Sequence, residues 1–216
     1  MKVLVMAGTP IDTRMGVEVL KNEGYFNIKE VAISKDPLEQ TIFQTSSSAN
    51  KEKIIREYLI KDSIDILFVY CNSLSSAVDF DKITSELGIK LVTPLHIYKN
   101  IAKNYKRILV LSANAQGLSG IEKVMLDSNK DIDIFGLTIL GLVEDIEKGL
   151  DKNYLSEKFK FKDLANYINS LGLDSVILGC THFPYIKDIL QEHLNVPIID
   201  PTHNMLEYIE KEYRKY

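Results

Sequence analysis

Short apolar, β-branched runs alternate along this chain with longer amphipathic segments. The runs predicted as strands are Lys2–Ala7, Ile28–Ile33, Ile64–Tyr70, Lys90–Val92, Arg107–Leu111, Ile132–Leu137, Ser175–Leu178 and Pro197–Ile199. Helices are predicted over Gly16–Asn22, Asn50–Lys61, Ser75–Glu86, His96–Lys103, Leu118–Asp127, Glu144–Leu150, Lys162–Ser170, Tyr185–Glu192 and Asn204–Tyr213. In Asn50–Lys61, the side chains of Ile54, Ile55, Tyr58 and Leu59 share one helical face, with Lys and Glu opposite. Ile64–Tyr70 is almost continuously apolar, as a parallel strand covered on both faces should be. The alternation predicts an α/β fold.

The pattern repeats. Asp65 to Ser73 reads Asp-Ile-Leu-Phe-Val-Tyr-Cys-Asn-Ser, and Asp174 to His182 reads Asp-Ser-Val-Ile-Leu-Gly-Cys-Thr-His. Cys71 and Cys180 are 109 positions apart. Lys2-Val-Leu-Val-Met recurs as Arg107-Ile-Leu-Val-Leu at an offset of 105, and Leu91-Val-Thr-Pro94 as Ile198-Ile-Asp-Pro201 at 107. Three pairs in one order at nearly one offset predict two pseudo-symmetric, flavodoxin-like α/β units with parallel sheets. Each half places a cysteine just past the C-terminal end of a buried strand, the edge where open α/β sheets bind ligands.

Composition narrows the class. With 26 Lys+Arg against 30 Asp+Glu in 216 residues, the net charge is −4. A mildly acidic chain argues against nucleic acid or an anionic membrane as the main partner. No apolar stretch reaches the roughly 20 residues of a membrane helix, and the opening run is too short for a signal-peptide core, so a cytoplasmic location is expected. Two cysteines make neither a disulfide framework nor a CxxC motif. No Cys/His cluster has zinc spacing, so no metal is expected. No Lys sits at a strand end beside a Gly-rich phosphate loop, so nothing points to pyridoxal phosphate.

Two thiols on opposite sides of one cleft suit the inversion of a stereocentre that bears a C–H bond. One thiolate removes the proton from one face, and the opposite thiol supplies one to the other. A free thiol ionises near pH 8.5, so the thiolate needs polar help. Asn72 and Ser73 follow Cys71, while Thr181 and His182 follow Cys180. Such strand-end turns offer N–H groups and hydroxyls to a carboxylate, and His182 is placed to move a proton at Cys180. Asp12, in the loop after the first strand, would border the same sheet edge as Cys71. Each feature has a plainer reading. A lone strand-end cysteine is usually inert core, Asp12 equally serves as a helix cap, and Glu144 is by position an ordinary first-turn acid. The matched placement of the two cysteines favours the catalytic reading.

At Cys71-Asn72-Ser73 and Leu178-Gly179-Cys180-Thr181-His182-Phe183-Pro184 the sequence resembles the cofactor-independent aspartate/glutamate racemase family, and glutamate racemases most closely. The resemblance implies two α/β domains, residues 1–94 plus 203–216 and residues 95–202, with the active site between them and the last helix returning to the first. It implies Cys71 and Cys180 as the two bases, with Asp12, His182 and Glu144 assisting. Thr13, Asn72, Ser73 and Thr181 would bind the substrate's carboxylates and ammonium. It further implies an amino-acid substrate, no cofactor, a homodimer, and D-glutamate supplied for peptidoglycan. The chain departs from the family pattern in three places. Asp12-Thr13-Arg14 comes several residues later than the family's Asp-Ser-Gly, Ala115-Gln116 replaces a Gly-Thr pair, and Gln44-Thr45-Ser46-Ser47 stands near a missing Pro-Tyr-Gly loop. Hydantoin racemisation or cis–trans isomerisation would use the same cysteines. A different class, a flavodoxin-like FMN module, would instead use Gly8–Thr13 as a phosphate cradle.

Overall fold

The computed structural model describes residues 1–213, so the last three positions of the expected 203–216 segment lie outside the described residues. The chain divides into two units, residues 1–97 with 202 onward, and residues 98–201. The first runs β1 (Val3–Ala7), α1 (Pro10–Asn22), β2 (Ile28–Ala32), α2 (Pro37–Thr45), α3 (Ser48–Leu59), β3 (Ile66–Val69), α4 (Asn72–Ala77), α5 (Phe80–Leu87) and β4 (Lys90–Val92). The unit boundary falls within α6 (Pro94–Asn104). There follow β5 (Arg107–Ser112), α7 (Ala115–Ser128), β6 (Asp133–Thr138), α8 (Leu140–Glu147), α9 (Lys152–Lys158), α10 (Phe161–Ser170), β7 (Ser175–Gly179), a 3₁₀ turn (Phe183–Ile186), α11 (Lys187–Gln191) and β8 (Ile198–Ile199). The final helix, α12 (Pro201–Tyr213), belongs almost wholly to the first unit.

Each unit is built on a four-stranded, all-parallel sheet, ordered β2-β1-β3-β4 in one and β6-β5-β7-β8 in the other. The order is the same in both, as the sequence duplication predicts. Central strands β1, β3 and β7 are buried at every residue, because helices cover both faces of a parallel sheet. The repeat extends to the aspartates that precede β3 and β7. Asp65 Oδ2 accepts the Lys2 amide at 2.7 Å. Asp174 Oδ2 accepts the Lys106 and Arg107 amides at 2.8 and 2.9 Å, and those amides, Arg107 first, hold its carboxyl below the usual range. Both aspartates pin the N-terminal edge of their sheet, opposite the cysteine edge.

Three helices differ from expectation, each for a local reason. The first begins at Pro10, not Gly16, because Thr9 and Asp12 form a capping box and Pro10 fills the first turn without losing a hydrogen bond. The expected Ser75–Glu86 helix is two helices, split where the Asp79 side chain caps α5 by accepting the Lys82 amide at 3.0 Å. The expected Glu144–Leu150 helix runs four residues earlier and ends before Gly149, whose φ of +73° is left-handed. Helices α2 and α9 fall where none is expected. Both start at a capping aspartate, Asp36 and Asp151.

Helix α1 approaches its sheet closely at Gly16, where a Cβ would lie 2.8 Å from Tyr70 Cβ and 3.0 Å from Val5 Cγ1. Alanine favours an exposed helix over glycine by about 1 kcal/mol. Here the clash with two buried side chains wins, because neither is the end of a flexible chain. Gly16→Ala is expected to destabilise the protein by about 1–3 kcal/mol, read by urea denaturation. A stability gain would mean α1 can shift away from the sheet.

Candidate active site

Cys71 is the residue immediately preceding α4, two positions beyond the end of β3, and 4% exposed. Strand β3 pairs with β1, so the first turn of α1, which carries Asp12 and Thr13, borders the same sheet edge. Asn72 and Ser73 open α4 and are buried. Two glutamines of α2 converge on the cysteine. Gln40 Nε2 donates to Cys71 Sγ at 3.2 Å and to Ser73 Oγ at 3.1 Å, and Gln44 Nε2 donates to Ser73 Oγ at 2.8 Å. Ser73 Oγ lies 3.6 Å from Cys71 Sγ. Neither glutamine was a sequence candidate. They share a helix face at i and i+4, but no apolar stripe marks that face as inward.

Asp12 is 1% exposed. Its carboxylate accepts the Gly8 amide at 3.2 Å, the Thr9 amide at 2.6 Å and the Thr9 hydroxyl at 3.1 Å. The Thr13 hydroxyl donates to the Thr9 carbonyl at 2.7 Å. These bonds bear on the phosphate-cradle reading of Gly8–Thr13. The N–H groups that would hold a phosphate already hold a carboxylate, whose charge would repel one.

Cys180 follows β7 in the equivalent place, 7% exposed, with Thr181 at 7% and His182 at 3%. The sulfur lies 3.7 Å from His182 Nδ1, and His182 Nε2 lies 3.0 Å from Glu147 Oε1. With Nε2–H donated to the carboxylate, Nδ1 carries a lone pair toward the thiol. The chain Cys180–His182–Glu147 can therefore take up and return a proton at one sulfur.

Glu144, the glutamate implied by the resemblance, is on the exposed side of α8 near Lys158. Glu147, one turn later, is the one that reaches His182. A signal for it exists in the sequence, since Glu147 lies four residues after buried Val143 and so shares its inward face. An acid in a helix's last turn opposes the helix dipole by roughly 0.3–1 kcal/mol, and the contact with His182 offsets that cost. On the same helix Asp145 is buried and paired with the exposed Lys158 and Lys148, whose amines hold its carboxyl below the usual range, Lys158 foremost. Among the described residues, no group of three or more His, Cys, Asp or Glu could hold a metal ion. None of the described helices is long and apolar enough to cross a membrane.

The chain resembles known proteins in sequence and in fold. A glutamate racemase of Persephonella marina is 31% identical over 175 residues, covering 76% of this chain and 66% of the relative. One from Trichodesmium erythraeum is 25% identical over 164 residues, covering 73% and 59%. The chain thus spans just under two thirds of the length of the curated relatives it matches. The glutamate racemase of Francisella tularensis, solved with D-glutamate, superposes with a TM-score of 0.78 at 20% identity, covering 99% of this chain and 82% of that one. The allantoin racemase of Pseudomonas fluorescens superposes with a TM-score of 0.67 at 12% identity, covering 99% and 91%. Residues 41–209 match the model of the family described as Asp/Glu/Hydantoin racemase. With that match taking in Cys71, Cys180 and His182, the chain belongs to the Asp/Glu/hydantoin racemase family.

Proposed function

We propose that this protein is an amino-acid racemase that inverts the Cα of glutamate, or of aspartate, by two-base proton transfer between Cys71 and Cys180. The observation that carries the reading is the matched pair of strand-end cysteines, each with polar side chains against its sulfur. The Cys71 thiolate takes the Cα proton from one face, and the C–H electron pair stays on the substrate as a carbanion delocalised into its carboxylate. The Cys180 thiol gives its proton to the opposite face, forming the new C–H bond and leaving a thiolate; the pair resets when the Cys71 thiol loses its proton to solvent and Cys180 regains one from solvent, relayed by His182. Asn72 and Thr181 are the candidate donors to the substrate carboxylates; the Thr13 hydroxyl is given to the Thr9 carbonyl, and the Ser73 hydroxyl lies against the Cys71 sulfur. Asp12 would face the substrate ammonium from the first turn of α1. The chemistry requires no cofactor, and a homodimer in the cytoplasm making D-glutamate for peptidoglycan is the setting that the resemblance implies.

A second reading has support in the family description and in the allantoin racemase likeness, namely inversion of a hydantoin-class ring at the same two sulfurs. Proton NMR in D2O tests both. L-glutamate, L-aspartate and a hydantoin are offered separately to the reduced protein, and loss of the Cα–H signal is followed together with formation of the D-isomer. Exchange with inversion on glutamate or aspartate is expected. Inversion of the hydantoin alone would establish the second reading, and no exchange on any of the three would refute both.

A further inference from the structure

Helix α2 is amphipathic the wrong way round. Leu38 and Ile42 are 72% and 63% exposed, while Gln40 and Gln44 are 9% and 4% exposed. Burying an amide in place of a leucine costs free energy unless its hydrogen bonds are all made, and an inversion of this kind marks a site where function overrides packing. The whole Gln40 amide lies against Gly8, where a Cβ would come within 2.1–2.4 Å of Nε2, Cδ and Oε1. Only glycine leaves room for it.

The hydrogen count then fixes the direction of every bond. An amide nitrogen has two hydrogens, and a hydroxyl has one hydrogen and two acceptor sites. Gln40 uses one N–H on Ser73 and the other on Cys71. Ser73 Oγ accepts from Gln40 and from Gln44, which fills its acceptor sites. Its own hydrogen is left to point outward, and Cys71 Sγ is 3.6 Å away. The sulfur is therefore offered donors from both Gln40 and Ser73. Donors favour the charged form of an acceptor. The neighbour of the Cys180 sulfur is instead His182, whose Nδ1 lies 3.7 Å away.

We infer that Gln40, braced by Gln44 through Ser73, is a positioning residue that holds Cys71 as the resting thiolate. The catalytic consequence rests on the racemase reading, but the ionisation of Cys71 can be read without any turnover. The chain has two cysteines, so Cys180→Ala leaves Cys71 as the sole source of thiolate ultraviolet absorbance. That absorbance is titrated against pH with and without Gln40→Leu, and circular dichroism reports the fold. In the Gln40→Leu form the thiolate is expected to appear about one pH unit higher, a tenfold fall in thiolate on the rising part of the titration. Gln40→Glu keeps the shape, replaces the donor by a carboxylate, and is expected to move the titration further the same way. This second variant also covers the case in which the leucine form misfolds. A titration unchanged in the folded variant or variants would overturn the inference. A protein that racemises nothing yet shows the shift would sink the racemase reading and leave this one standing. One that racemises with no shift would do the reverse.

Discussion

Replacing either cysteine by alanine is expected to lower racemisation by about a thousandfold or more. A positioned acid or base contributes roughly 10²–10⁴ in rate, and each sulfur is asked to be one in each direction. Loss of inversion is only half of the expected result. A single remaining base can still remove a proton and return a deuteron to the same face. Cys71→Ala and Cys180→Ala should therefore each retain slow exchange without inversion, and on opposite enantiomers. The D2O experiment resolves this, because signal loss and optical inversion are followed separately. Two variants that invert at the native rate would make the cysteines core residues. Two variants that exchange the same enantiomer would place both sulfurs on one side of the substrate, and the two-base proposal would fail.

The second large effect is expected at Glu147. Its carboxylate faces His182 Nε2 at 3.0 Å and is the counter-charge for the imidazolium formed whenever His182 takes up a proton on its way to or from Cys180. Glu147→Gln keeps the size and an acceptor oxygen but removes that charge. We expect kcat to fall about 10- to 100-fold, less than the roughly 10²–10⁴ of a group that transfers the proton itself, with KM nearly unchanged. The acid limb of the pH profile should also move to lower pH, since a histidine without its counter-charge holds its proton less tightly. Glu144→Gln, made alongside, decides which glutamate serves the pair. A larger loss in the Glu144 variant would restore the assignment that the resemblance implies and would reduce the His182–Glu147 contact to a structural one.

The strands were legible because buried parallel strands are apolar at almost every position, and the duplication made each half a check on the other. The cysteines, His182 and their strand-end setting were legible for the same reason, since chain order alone puts each at the C-terminal edge of its own sheet. Glutamines 40 and 44 were not. A search for apolar stripes reads Leu38 and Ile42 as the inward face of α2, and the molecule turns that face to solvent. The identity of the buried polar residues on a helix depends on what they meet across the fold, here Cys71 and Ser73, which lie about thirty residues further along the chain. Glu147 was missed through a boundary error. A helix thought to begin at Glu144 makes that residue a first-turn acid, whereas a helix from Leu140 makes Glu147 a last-turn acid with an inward face. At α1 the Thr9-Pro10-Ile11-Asp12 run carries both the capping box and the first-turn proline, a signal that was present and went unread.

The return of α12 to the first unit orders events during synthesis. Tyr213 Oη donates to the Leu91 carbonyl, Tyr25 Oη to Glu210 Oε1, and Tyr70 Oη lies 3.1 Å from Thr202 Oγ1. These bonds tie residues 202–213 to strands and helices made far earlier. On a ribosome the segment 98–201 can emerge whole and fold, while residues 1–97 wait with one flank uncovered until α12 is made. The half translated first is thus the half completed last, and a nascent chain stalled short of α12 would expose the apolar flank that Met205 and Ile209 bury in the finished protein.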